Sequence, residues 1–234
     1  MSTPSDPFDS GSGEGGREEG GREEGAAGEP TPSDGLDWDA ITASVRAALS
    51  GELIVLATDT VYGIAARPDD GSATGKIFTA KARDRARTLP VLVASEEQAR
   101  RVGVFDAVAE RLVGSVWPGT VTLVLRRSPA ALGWDLGGDA ETVGLRIPDH
   151  PACRAVLHRS GPLAVSSANR SGRPTPRTCS EVHDVFGDEV AAYLCDRGRS
   201  AVSASTVVDL AHGKPTVLRA GTFDPERLAA LLNG

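Results

Sequence analysis

Short apolar runs of four to six residues, each cut off by oxygen-bearing or cationic side chains, recur along this chain and constrain its fold more than any other feature. Residues 53–57 (LIVLA) stop at Thr58, Asp59 and Thr60, and residues 162–165 (PLAV) run into Ser166, Ser167 and Asn169. Residues 142–147 (TVGLRI) carry Arg146 and end at Pro148, and 90–94 and 121–125 are two further runs, with Thr122 in the second. Shorter candidates lie at 191–195, 205–210 and 216–219. Runs of this length and composition predict strands. Helical periodicity fills the intervals. Asp37 reads as the cap of a helix with Trp38, Ile41, Val45 and Ala48 on one face and Gly51 as its stop. Further helices are predicted over 72–82 (Ile77 and Phe78 inward), after a capping box from Ser95 to Gln98, and over 106–116 (Val108, Leu112 and Val113 inward). Others cover 150–159 and 179–186, and a last one has Asp224 as cap, Pro225 at its first position and Leu228, Leu231 and Leu232 inward. Residues 128–141 read as a loop. Strands and helices mix from residue 35 to 234 without a linker-like break, which predicts one α/β domain built on a mixed sheet, with no second domain after it.

The formal charge of −7 is unevenly distributed. Residues 1–34 hold nine acidic residues against Arg17 and Arg22 and repeat GREEG at 16–20 and 21–25, while acids and bases balance over the remainder. A Gly/Glu-rich segment with almost no large apolar groups cannot offset its ordering entropy, so residues 1–34 are expected to be a disordered tail. The acidic pI therefore says nothing against an anionic ligand or RNA for the rest. Cys153, Cys179 and Cys195 are odd in number and widely spaced, which reads as three reduced thiols in a cytoplasmic protein. Four histidines show no metal-ligand spacing, so no zinc site is expected. There is neither a basic-then-apolar leader nor an apolar run of membrane-spanning length.

Chemistry is concentrated at the strand ends. The stretch 58–93 places Lys81, Arg83, Arg85 and Arg87 within seven residues, between the hydroxyls of Thr58 and Thr60 and the strand at 90–94. Gly71 to Ile77 imitates a phosphate loop, but it has three residues between its glycines and Ile77 where a magnesium-binding hydroxyl belongs. Ser166, Ser167 and Asn169 directly follow a strand, where small side chains and free backbone N–H groups can cradle an oxyanion. Arg146 and Arg219 sit on predicted strands, where arginine needs an anionic partner. Lys81, Arg83, Arg87, Arg146 and Arg219 together would be a cation surplus that a triphosphate could balance.

The ordered set TDTVYG, K-x-R followed by L-P, WPG-x-x-T, T-V-x-x-R-I-P, S-x-A-N-x-S-G, S-T-V-V-D and L-R-x-G resembles the YrdC/TsaC family of L-threonylcarbamoyladenylate synthases over nearly all of residues 38–232. The resemblance implies a YrdC-like twisted mixed sheet with flanking helices around a basic cleft. It also implies a nucleotidyltransferase that converts L-threonine, bicarbonate (or CO₂) and ATP into threonylcarbamoyl-adenylate and pyrophosphate, for modification of the adenosine beside the tRNA anticodon. Carried over by motif, Thr60, Arg146, Ser167 and Ser205 would hold threonine, with Arg146 on its carboxylate. Arg83, Thr142, the backbone at Val165, Thr175 and Arg219 would hold ATP, and Lys81, Asn169 and Arg87 would line the phosphate site. Mg²⁺ would accompany ATP, no protein nucleophile is needed, and tRNA or the proteins that use the adenylate are the implied partners. The chain resembles the short form without a C-terminal extension. It departs from the family pattern at Ala57, Ser166 and Arg87-Thr88-Leu89. Two other readings share the motifs: a related carbamoyl-adenylate enzyme, and a non-catalytic module that binds double-stranded RNA. Threonine-dependent ATP turnover separates the first reading from both.

Overall fold

A computed structural model describes residues 35–196 and 203–233; the acidic tail lies outside them. The helices are α1 (Trp38–Leu49), α2 (Gly71–Lys81), α3 (Glu96–Val102), α4 (Ala107–Val116), α5 (Pro151–Ser160), α6 (Cys179–Phe186) and α7 (Pro225–Asn233). The strands are β1 (Ile54–Leu56), β2 (Gly63–Ala66), β3 (Val91–Leu92), β4 (Gly103–Val104) and β5 (Val121–Arg127). They continue with β6 (Thr142–Arg146), β7 (Leu163–Ser167), β8 (Ala192–Leu194), β9 (Thr206–Asp209) and β10 (Thr216–Arg219). Among the described residues these form one sheet in the order β10-β9-β5-β6-β3-β7-β2-β1-β8, with β4 added to β5. The pairs β1/β8, β3/β6 and β5/β9 are parallel and the rest antiparallel, so the sheet is mixed, as expected.

Strand alternation explains why the sheet has a cleft. On one face Val55, Ile64, Val91, Leu123, Val143, Leu145, Ala164 and Val208 join one core with α2, α3, α4, α6 and α7. On the other face Ile54, Leu56, Ala65, Leu163, Ala192 and Leu194 pack under α1 and α5, through Ile41, Ala48, Cys153 and Val156. No residue of β5, β6 or β9 belongs to that second core. The side chains they turn to this face, Thr122, Val124, Thr142, Arg146, Val207 and Asp209, line cavities instead. Half of one sheet face is thus left uncovered; of its side chains, the sequence reading had noted Thr122 and Arg146 within their strands.

Caps follow the local chemistry. Asp37 accepts from Ala40 N at 2.9 Å, and Asp70 opens α2 by accepting from Ser72 N and Ala73 N. The phosphate-loop imitation is therefore the first turns of α2, and its Lys76 is spent on Gly51 O and Glu52. At Ser95 half of the expected capping box forms: Ser95 accepts from Gln98 N, while Gln98 Oε1 accepts from Ala94 N and its amide donates to Leu157 O. Val108 is only partly buried, and Ala109 and Val116 join Leu112 and Val113 on the inner face of α4. Strand β2 went unread in the sequence because a central strand buried on both faces shows no alternation. Glycine there is required by close approach: a Cβ on Gly63 would lie 2.6 Å from Val165 Cγ2.

The expectation of three reduced thiols is overturned. Cys179, the first residue of α6, and Cys195, just past β8, form a disulfide with Cα atoms 5.6 Å apart, and only Cys153 is free, buried under α5. The packing of α6 against the β8 edge brings together two residues whose spacing of 16 carries no pairing signal. Cysteine usage consequently no longer argues for a reducing compartment. No helix among the described residues is long and apolar enough to cross a membrane. Thiol labelling of the unfolded, unreduced protein is expected to find Cys153 alone, and all three cysteines after reduction; three labels without reductant would show the bond to be absent.

Candidate active site

The uncovered sheet face holds two adjoining chambers. The inner one, about 150 Å³, is lined by Thr58, Thr60, Arg146, Val165, Ser167 and Ser205, with Leu92 and Gly63 in its wall. The outer one, about 310 Å³, is lined by Thr122, Val124, Thr142, Asp209, His212 and Leu218. Arg83, Pro90 and Arg219 line both, so two guanidinium groups stand in the wall that the chambers share.

Arg146 dominates the inner chamber. It ends β6, is 5% exposed, and would be costly there without a partner. Asp59 supplies the counter-charge at Nη2, and Nη1 donates to Thr60 Oγ1 at 2.8 Å. Thr60 Oγ1 lies 3.0 Å from Thr58 Oγ1, which donates to Val61 O at 2.6 Å. The polarity of this chain is fixed, because a guanidinium only donates and a carbonyl only accepts: Arg146 to Thr60 to Thr58 to Val61. Asp59 was not among the predicted site residues; the sequence signal for it was the buried arginine's need of an anion. Asp59 Oδ2 and Arg146 Nε are buried without partners, which leaves this pair with one acceptor and one donor unspent.

Arg83 and Arg219 present the surplus charge. Among the described residues no carboxylate pairs with either. Arg83 is held by the carbonyls of Arg87 and Thr88. Partial burial, then Arg87 and Arg219, push its pKa below the usual arginine value. Arg219 donates through Nε to Ser205 O at 2.9 Å and through Nη2 to Ser205 Oγ at 3.0 Å, and burial followed by Arg146 lowers its pKa too. Unlike the buried-strand arginine expected from the sequence, it lies on the exposed edge strand β10. The L-R-x-G motif closes on this contact, since a Cβ on Gly221 would lie 2.3 Å from Thr206 N and 2.4 Å from Ala204 O.

Four predicted residues do not line either chamber. Arg87 is exposed beside Arg83. Lys81, 2% exposed, ends α2 beneath the loop after β7, where Nζ donates to Ser167 O, Asn169 O and Asn169 Oδ1. Its three protons are thus spent inside the protein. Asn169 Oδ1 also accepts from Ser167 Oγ at 2.6 Å and Thr175 Oγ1 at 3.4 Å, and Nδ2 donates to Arg170 O and Arg173 O. Lys81, Asn169 and Thr175 therefore shape the loop that presents Ser167 to the inner chamber. Thr142 does line the outer chamber, its hydroxyl on Asp139. Thr122, Asp209, His212 and Leu218 are wall residues that the motif reading did not assign.

Burial, then Arg83 and Arg170, depress the Lys81 pKa from 10.5 to about 8. Between these values the unfolded chain binds the proton that the folded one has lost, so Lys81's destabilising contribution is relieved as pH rises through that window. Its loop-holding hydrogen bonds, however, weaken with the same deprotonation. Nitrogen-15 NMR of the lysine side chains is expected to show Lys81 titrating near pH 8, with ligand affinity of the cleft falling along the same curve; a midpoint near 10.5 would overturn this.

Comparison with known proteins places the sequence and the fold. The Sua5_yciO_yrdC family model, described as "Telomere recombination", matches residues 46–221. A Mycobacterium tuberculosis protein provisionally named threonylcarbamoyl-AMP synthase is 43% identical over 194 residues, covering 82% of this chain and 88% of its own. A Bacillus subtilis protein named threonylcarbamoyl-AMP synthase is 36% identical over 185 residues, 77% of this chain and 53% of that protein. The crystal structure of Pyrococcus abyssi Sua5 complexed with L-threonine superposes with a TM-score of 0.74 at 31% identity, covering 83% of this chain and 57% of that one; the present chain thus spans about half the length of these two larger relatives. Fold and sequence agree, and the chain belongs to the Sua5/YciO/YrdC family.

Proposed function

We propose that this protein is a threonylcarbamoyl-AMP synthase that serves tRNA modification. The observation that carries the reading is the pair of chambers joined at Arg83 and Arg219, the smaller built for an amino acid and the larger for a nucleotide. The relatives' name and the threonine complex of the archaeal protein support it. Threonine occupies the inner chamber, its carboxylate on Arg146 and its polar atoms beside Thr60, Ser167 and Ser205. Adenosine occupies the outer chamber near Thr142 and Leu218, and the triphosphate lies across the two unpaired guanidinium groups.

The chemistry then needs no protein nucleophile. Threonine's ammonium and bicarbonate condense to the N-carboxylate (carbamate) with loss of water and a proton. A carbamate oxygen attacks the α-phosphorus, the α–β bridging P–O bond breaks, and pyrophosphate leaves with its electron pair. Two anions must meet, and Arg83 and Arg219 screen the charge that develops between them. The inner chamber, walled by Leu92 and Val165, keeps water from the labile carbamate. Among the described residues no cluster of three metal-ligating side chains exists; the inner chamber offers hydroxyls and guanidinium groups, and the outer one adds Asp209 and His212, which bond each other. Magnesium enters as MgATP, a substrate held through its phosphates. The product is a threonylcarbamoyl-adenylate, the acyl donor for the adenosine beside the tRNA anticodon.

Pyrophosphate release from MgATP and bicarbonate is expected to require L-threonine and to stop on chelation of the metal. Arg146→Ala should lower kcat/KM for threonine roughly 100-fold, the scale of lost charge-assisted hydrogen bonds. Arg219→Ala, at an exposed edge, should leave the fold intact and weaken ATP binding by about tenfold. Threonine-independent release would assign a different acceptor; a folded protein that binds ATP and releases nothing would refute the synthase.

A further inference from the structure

Ser205 sits on the partition between the chambers: it lines the inner one, while its carbonyl and hydroxyl hold Arg219, which lines both. A third contact completes this arrangement. Thr122 Oγ1, from the middle of the sheet on β5, lies 2.9 Å from Ser205 Oγ, and both residues are buried, at 4% and 7% exposure. Thr122 is the threonine of the W-P-G-x-x-T motif, to which the mechanism above gives no task. The motif delivers it by packing: Trp117 is buried in the core and donates through Nε1 to Val121 O at 2.8 Å, which fixes the start of β5 so that Thr122 turns toward the cleft.

A serine hydroxyl has one proton and two acceptor positions. The Arg219 guanidinium can only donate, so it takes one acceptor position of Ser205. Between Thr122 and Ser205 themselves either hydroxyl can be the donor. An anionic oxygen in the inner chamber removes that freedom. Thr122 then donates to Ser205, both acceptor positions of Ser205 are filled, and its only proton is turned on the ligand. We infer that Thr122 is a positioning residue that converts Ser205 into a hydrogen-bond donor for the carbamate oxygen that attacks the nucleotide. The inference rests on the synthase reading and deepens it. The oxygen concerned is the carbamate's and not the α-carboxylate's, because Arg146 draws the latter to its own side, while Ser205 lines the inner chamber where it holds Arg219, the residue shared with the outer one.

A donor held at the reacting end differs from general substrate binding: its loss shows in turnover rather than in saturation. Thr122→Val keeps the β-branched shape and removes the hydroxyl. It is expected to lower kcat of threonine-dependent pyrophosphate release about tenfold, the scale of one hydrogen bond, while KM for threonine and for ATP stay within about twofold. Thr122→Ser should restore most of the activity. Ser205→Ala combined with Thr122→Val should be no worse than Ser205→Ala alone, because the threonine acts through the serine. A Thr122→Val protein with wild-type kcat would overturn the inference. So would a Thr122→Ser protein as impaired as the valine variant, which would assign the effect to the methyl group's packing, and so would additive losses in the double variant. Failure of the synthase reading would appear separately, as a wild-type protein without threonine-dependent release.

Discussion

Everything functional in this molecule depends on a sheet face that its helices cover only in part. A strand presents alternate residues to opposite faces, so one apolar set on β5, β6 and β9 builds the large core while the other set is left to the cleft. Had the second set been apolar, the face would be an exposed hydrophobic patch. It is instead Thr122, Thr142, Arg146 and Asp209, with Gly144 between them leaving depth. The floor of the site is thus the sheet itself, and the segments carrying Thr58, Thr60, Arg83 and Ser205 complete its walls.

Charge in that cleft is organised in two tiers. Arg146 is compensated by Asp59 and fixed by the threonine chain, so its orientation is established before any ligand arrives. Arg83 and Arg219 repel one another and are held only by carbonyls and a hydroxyl, so they stay positive and free to receive phosphate oxygens. The first tier selects geometry and the second supplies driving force. Lys81 belongs to neither: buried with three acceptors, it converts a cation's donors into loop shape, which separates the role of a basic residue in a motif from contact with the anion the motif serves.

The same division shows in what went unread. Lys81, Arg83 and Arg87 were expected together at the ATP phosphates, yet the structure assigns Lys81 to the loop beneath Ser167, Arg83 to the wall shared by the chambers and Arg87 to the exposed surface, while Arg85 between them pairs with Asp135. Helix geometry accounts for this. Lys81 is the last residue of α2 and points inward, and Ala82 takes a left-handed conformation (φ 48°) that swings the following residues out of the helical register. Sequence spacing cannot anticipate such a break.

The sequence by itself determined all seven helices and most of the strands in order, the mixed α/β class, the caps at Asp37, Ser95 and Asp224, the failure of the phosphate-loop imitation and the motif set that carries the family. Each is local, written in periodicity, capping chemistry or spacing within a few dozen residues. Only the tertiary structure decided that Cys179 meets Cys195, that Asp59 is Arg146's partner across 87 residues, and that Thr122 reaches Ser205 across 83. These depend on which strands become neighbours. Pairing β5 with β9, and laying the segment that follows β1 against Arg146 at the end of β6, is settled by how the whole sheet buries its apolar face, and no local pattern in the chain encodes that choice.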